Sequence, residues 1–159
     1  MADRILVYGY GNPGRQDDGL GPALIDRLET EPIKGVATMS NYQLNIEDAL
    51  EISDKEAVIF VDASVSCQEP FQFYGIEPDI EITFTTHSMS PQSVLALCGD
   101  LYEKDVKAYI LSIRGYDWDF AEGLSGSAGK NLDEAYGFLR NELHSMLCRE
   151  TDSRVNLIN

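Results

Sequence analysis

The sequence predicts a layered α/β domain built on a mostly parallel sheet, and three observations carry that expectation. Apolar runs alternate with amphipathic segments along the whole chain. The first apolar run, Ile5-Leu6-Val7-Tyr8, leads through a glycine-rich turn into a helical pattern. A later run, Ala57-Val58-Ile59-Phe60-Val61, has no polar member, as expected of a central strand covered on both faces.

Strand one is expected over about Arg4 to Tyr10. Helix one should cover about Gly19 to Glu29, where Leu20, Leu24, Ile25 and Leu28 recur at helical spacing, and Pro32 and Gly35 close that unit. A second strand is placed near Val36 to Ser40, a helix near Ile46 to Ile52, and the third strand at Ala57 to Asp62. Phe71 to Ile76 alternates as a strand does. It follows strand three too closely for a crossover helix, so it should run antiparallel. A helix over Pro91 to Tyr102, a fifth strand over Val106 to Ile113 and a last helix over about Gly129 to Leu147 complete the pattern. The polar segment 151–159 is read as a loose tail after a single domain spanning 1–150.

Composition narrows the function classes. A chain of 159 residues, 43% hydrophobic, suffices for one core without disulfide or zinc staples. Its formal charge of −15 argues against a nucleic-acid partner, which needs clustered Lys and Arg. Met1-Ala2-Asp3-Arg4 has no signal-peptide character and no apolar run reaches membrane-spanning length, so a cytoplasmic protein without membrane insertion is expected. Cys67, Cys98 and Cys148 are odd in number, scattered and outside any CxxC pattern, which favours reduced thiols over disulfides or a cysteine zinc site.

Gly11-Asn12-Pro13-Gly14-Arg15-Gln16-Asp17-Asp18-Gly19-Leu20-Gly21 carries the chemistry. Glycine loops at helix N-termini attract anions, whereas this one brings its own acid pair. Such a carboxylate serves either as a metal or proton-transfer group or as a helix N-cap. With strands in a 2-1-3 order, Asp18 after strand one and Asp62 at the end of strand three would face each other across the crevice where such sheets bind ligands. Two facing carboxylates repel unless a proton or cation lies between them; alternatively, Asp62 caps a turn. His87, in a loop before a helix, completes a set of two carboxylates and one imidazole that suits a divalent first-row ion such as nickel, manganese or zinc with positions left open. His144 is placed at the surface or boundary of the last helix.

Gly11-Asn12, Asp17-Asp18-Gly19, Gly21, then Val61-Asp62-Ala63, then Thr85-Thr86-His87-Ser88-Met89 resemble, in order and spacing, the signatures of the [NiFe]-hydrogenase maturation endopeptidases. The resemblance extends over about residues 4–147, and the segment Arg114 to Ser125 resembles the form found in part of that family. It implies a three-layer α/β/α sandwich around a five-stranded mixed sheet with one antiparallel strand. It further implies that Asp18, Asp62 and His87 are catalytic and metal-binding, with nickel the expected metal, supplied by the partner. That partner would be a hydrogenase large-subunit precursor, which loses a C-terminal extension after nickel insertion.

Activation of water by a metal and by one carboxylate acting as general base both stay open. The chain lacks an HExxH zinc-protease motif. Arg114, Tyr116 and Trp118 are candidate substrate contacts, or else they pack their own loop down. Three other readings compete. A nickel-binding chaperone could use the same ligands, a nucleotide-binding domain is disfavoured by the acid pair, and a hydrolase using Cys67 and His87 lacks any group that would lower the thiol pKa.

Overall fold

The computed structural model describes residues 3–79 and 89–158, with side chains described as far as 149. It forms β1 (Ile5–Tyr10), α1 (Leu20–Thr30), β2 (Val36–Asn41), α2 (Asp48–Ser53), β3 (Ala57–Ser64), β4 (Phe71–Ile76), α3 (Pro91–Tyr102), β5 (Lys107–Arg114) and α4 (Gly126–Ile158). The five strands lie in the order β2-β1-β3-β5-β4, all parallel except β4, which runs antiparallel to β5. The expected three-layer mixed fold is therefore present. β4 follows β3 in the chain yet pairs with β5 at the sheet edge, where alternate residues Phe71 and Phe73 turn inward onto Phe138 at ring distances of 5.0 and 5.1 Å.

Strand parity separates two cores. Ile5, Val7, Ile59, Val61, Leu111 and Ile113 face α1 and α4, packing on Leu24, Leu28, Leu132, Leu139 and Leu143. Leu6, Tyr8, Val58, Phe60, Ala108 and Ile110 face α2 and α3, packing on Ile52, Val94 and Leu95. By the same alternation Tyr10 and Asp62, one step further along β1 and β3, belong to the α2/α3 face.

Local chemistry sets the element ends. Ser90 caps α3 by accepting the Ser93 amide at 3.1 Å, with Pro91 in the first turn. Ser125 caps α4 by accepting the Ala128 amide at 3.2 Å. That cap starts α4 at Gly126, earlier than the apolar pattern predicts. No proline follows, and the helix runs on to Ile158 through the polar segment read as loose.

Glycines at two contact points seat α1 directly on the sheet. A Cβ on Gly21 would stand 2.6 Å from the Val61 carbonyl oxygen and 2.7 Å from that of Tyr10, and one on Gly9 would lie 2.4 Å from the Gly21 oxygen. Because these neighbours are backbone, nothing can swing aside. The close approach fixes the start of α1, and with it Asp18, above the C-terminal ends of β1 and β3. Gly21→Ala should therefore lower stability by about 1–3 kcal/mol through overpacking. Gly129→Ala, whose Cβ would meet nothing within 4 Å on α4, should be neutral or stabilising. Denaturant midpoints of the two variants check this contrast.

Candidate active site

The loop after β1 is held from both ends. Gly11, at φ 142°, donates its amide to the Asn41 carbonyl at 3.1 Å, and a Cβ there would stand 2.0 Å from the Asp18 carbonyl oxygen. Asn12 caps the following turns, its Oδ1 accepting from the Gly14 amide at 2.9 Å. The run Pro13–Gly19 is 3-10 helical but breaks at Arg15 and Gln16, where Gln16 adopts φ 49°, ψ −113°. A non-glycine residue in that region stores about 1–3 kcal/mol. The segment after β5 offsets this strain: Gln16 donates its amide to Ala121 O at 2.9 Å, and its Oε1 accepts from the Asp119 amide at 3.1 Å.

Asp17 joins the two loops. Its side chain is 0% exposed. Its carboxylate accepts from the amides of Tyr116 (2.7 Å), Asp117 (2.9 Å) and Ser125 (2.8 Å) and from the Ser125 hydroxyl (2.8 Å). Burial alone would raise its pKa, but these donors together outweigh burial and hold it below the ordinary value. Neither the amides of α1 nor Arg15 is among the partners of Asp17. Its partners are instead the loop after β5 and the residue capping α4. Arg15 points elsewhere, donating to Trp118 O at 3.2 Å and lying over the Phe120 ring at 5.4 Å.

Asp18 is left to the crevice. It does not cap α1, whose N-cap is Gly19 without a side-chain bond; its Oδ2 accepts the Asn12 amide at 2.7 Å. One oxygen is thereby fixed. Asp62, at the end of β3, accepts from the Tyr10 hydroxyl at 3.3 Å. Burial and then the Asp18 charge push its pKa up, against the pull of Tyr10 and the Ala63 amide, to about 6. The two carboxylates are thus within electrostatic reach of one another. A carboxyl whose folded pKa is raised costs stability as pH climbs from its unfolded value of 3.8 toward 6, so at neutral pH the pair opposes folding. A group that destabilises the apo fold while facing another acid is the pattern of a cation or proton site.

His87 lies outside the described residues. Among the described residues no three His, Cys, Asp or Glu side chains form a metal-holding group. His144 is exposed on α4. Cys67 is a packed thiol, buried with its Sγ 3.6 Å from the Ser112 carbonyl oxygen. Arg114 donates to the Cys67 carbonyl at 2.8 Å and lies over the Tyr116 ring, and the Tyr116 hydroxyl meets Glu69 and Asn131. The edge of Trp118 lies over Gly115, where a Cβ would stand 3.0 Å from the ring. These three residues therefore brace their loop. The large hydrophobic residue that this loop exposes is Phe120, 88% exposed, which has no periodicity in the sequence to mark it. Val65 after β3 and Tyr42 after β2 are exposed at the same end of the sheet. A cleft of about 290 Å³ lined by Gly11, Pro13, Pro22, Ser40, Asn41 and Tyr42 lies beside the β1 loop.

Comparison with known proteins places this arrangement. No protein-family model matches the chain. A Methanocaldococcus jannaschii protein provisionally described as a hydrogenase maturation protease is 26% identical over 151 residues, covering 87% of this chain and 96% of its own length. The chain resembles that protein over nearly the whole of both lengths. The fold agrees. The hydrogenase maturating endopeptidase HybD of Escherichia coli superposes with a TM-score of 0.71 at 20% identity, covering 90% of this chain and 93% of that one. The [NiFe]-hydrogenase maturation protease HycI of Thermococcus kodakarensis gives a TM-score of 0.68 at 18% identity, covering 86% and 89%. Among its described residues no helix is long and apolar enough to cross a membrane.

The division of labour between the paired acids yields a pH-dependent expectation. Because the folded pKa of Asp17 is depressed, its contribution to stability is fully present above its unfolded value of 3.8 and is lost as pH falls through the folded value. Asp17→Asn should therefore lower the melting temperature at pH 7 and flatten the acid limb of the stability curve. Asp18→Asn should melt close to the wild type, and thermal melts from pH 2 to 7 measure both.

Proposed function

We propose that this chain is a protease that removes the C-terminal extension from a [NiFe]-hydrogenase large-subunit precursor after nickel insertion, and that it does so in the cytoplasm. Asp18, Asp62 and His87 complete the coordination of the nickel that the precursor carries. The observation behind this reading is the carboxylate pair at the C-terminal ends of β1 and β3. Among the described residues neither acid forms an ion pair, and burial and the Asp18 charge push the pKa of Asp62 up to about 6. Two carboxylates and an imidazole fit a first-row divalent ion. An unloaded precursor leaves the acids facing each other and binds poorly.

Bound nickel would supply Lewis-acid polarisation and lower the pKa of a water on it. The chain supplies position. The Asn12 amide holds Asp18 and Tyr10 holds Asp62, and a carboxylate oxygen not taken by the ion accepts the proton of the attacking water. Water oxygen bonds to the scissile carbonyl carbon, the C–N bond breaks, and the abstracted proton passes to the departing amine. Phe120, Val65 and Tyr42, exposed on loops at this end of the sheet, contact the precursor, and the Arg15 guanidinium lies over the Phe120 ring.

Incubating the purified chain with nickel-loaded precursor should give a mass loss confined to the precursor C-terminus. Asp18→Asn, Asp62→Asn and His87→Ala should each lower kcat/KM by about 100-fold or more, while Phe120→Ala should raise KM by about tenfold with kcat retained. Tight binding without any loss of mass would make the protein a nickel-sensing chaperone instead.

A further inference from the structure

Tyr10 stands at the C-terminal end of β1. Tyr10 follows Gly9, which pairs with Val61 on β3, so Tyr10 and Asp62 are lateral neighbours on the α2/α3 face of the sheet. The Tyr10 hydroxyl donates to Asp62 Oδ2 at 3.3 Å. Its ring is braced from below. Tyr8 lies edge-on to it at 6.4 Å between centroids, Phe60 sits 6.3 Å from Tyr8, and Tyr8 is itself locked by a 2.7 Å hydrogen bond from its hydroxyl to Asp48 Oδ2. Asp48 is in turn tied by the Asn45 amide at 2.8 Å.

We propose that Tyr10 is a positioning residue for the metal-facing carboxylate, engaging Oδ2 of Asp62 so that Oδ1 alone is presented to a divalent cation. This inference rests on the reading of Asp62 as a ligand. An aspartate has a short, freely turning carboxylate, and beside a second acid its lowest-energy rotation without a tether points away from the crevice. The tyrosine hydroxyl opposes that rotation, and the edge-on and tilted aromatics beneath keep the hydroxyl from moving. Partners of this kind behind a ligand commonly account for about 10- to 100-fold in metal affinity. Ligation through one oxygen also leaves room for the ligands that the precursor brings.

The test uses the full chain with nickel(II) alone, measured by calorimetric titration and, with cobalt(II) in its place, by the visible absorption of the bound ion. Tyr10→Phe keeps the ring and its packing and removes only the hydroxyl. It should melt close to the wild type, bind nickel(II) about tenfold or more weakly, and change the cobalt(II) spectrum. A nickel(II) affinity within about twofold of the wild type, with binding abolished in Asp62→Asn, would overturn the role of Tyr10 and leave the ligand assignment standing. Binding unchanged in Asp62→Asn would overturn both.

Discussion

Everything at the reactive edge of this molecule depends on the burial of one charge. Asp17 is a carboxylate with no ion pair among the described residues, enclosed by protein and kept ionised by four hydrogen bonds from Tyr116, Asp117 and Ser125. Hydrogen bonds to charged groups contribute about 1.5–3 kcal/mol each, and removing donors from a buried charge costs more than that. The loop after β5 must therefore close over the loop after β1. That closure holds Gln16 in its strained conformation, starts α4 at Ser125, and turns Asp18, next in the chain, toward the crevice.

The sheet supplies the second constraint. With β1 central between β2 and β3, the helices that follow β1 and β2 leave on opposite faces, and a crevice opens between β1 and β3. The glycines at 9 and 21 let α1 approach until backbone meets backbone. Asp18 consequently stands near Asp62, and the fold carries the electrostatic cost of that approach. Binding sites often retain such an unfavourable apo arrangement because a ligand of the right charge relieves it.

Much of this was legible in the sequence, for identifiable reasons. β4 and α3 fall at the residues expected because proline, glycine and alternation mark their ends. The antiparallel sense of β4 followed from the short connection, but its pairing with β5 did not, since pairing across a sheet depends on which edge the later strand takes. Asp18 and Asp62 were identified from their places after strands one and three, and the strand order brings them together. His87 falls outside the described residues. The partners of Asp17 were not legible because they lie some hundred positions further along the chain and use backbone amides, which leave no mark in residue type. Phe120 and Tyr10 escaped notice for a related reason: what distinguishes each is its surroundings and not its spacing.

The central claim is that the Asp18 and Asp62 carboxylates are held against one another and that a divalent cation relieves their repulsion. Carbon-detected NMR of the side-chain carboxyls, followed through a pH titration without metal and again with zinc(II), tests it directly. The metal-free protein should show Asp62 titrating at about 6. Zinc(II) should carry that midpoint below the ordinary carboxylate value of about 3.9. A midpoint near the ordinary value in both titrations, unmoved by zinc(II), would contradict the account.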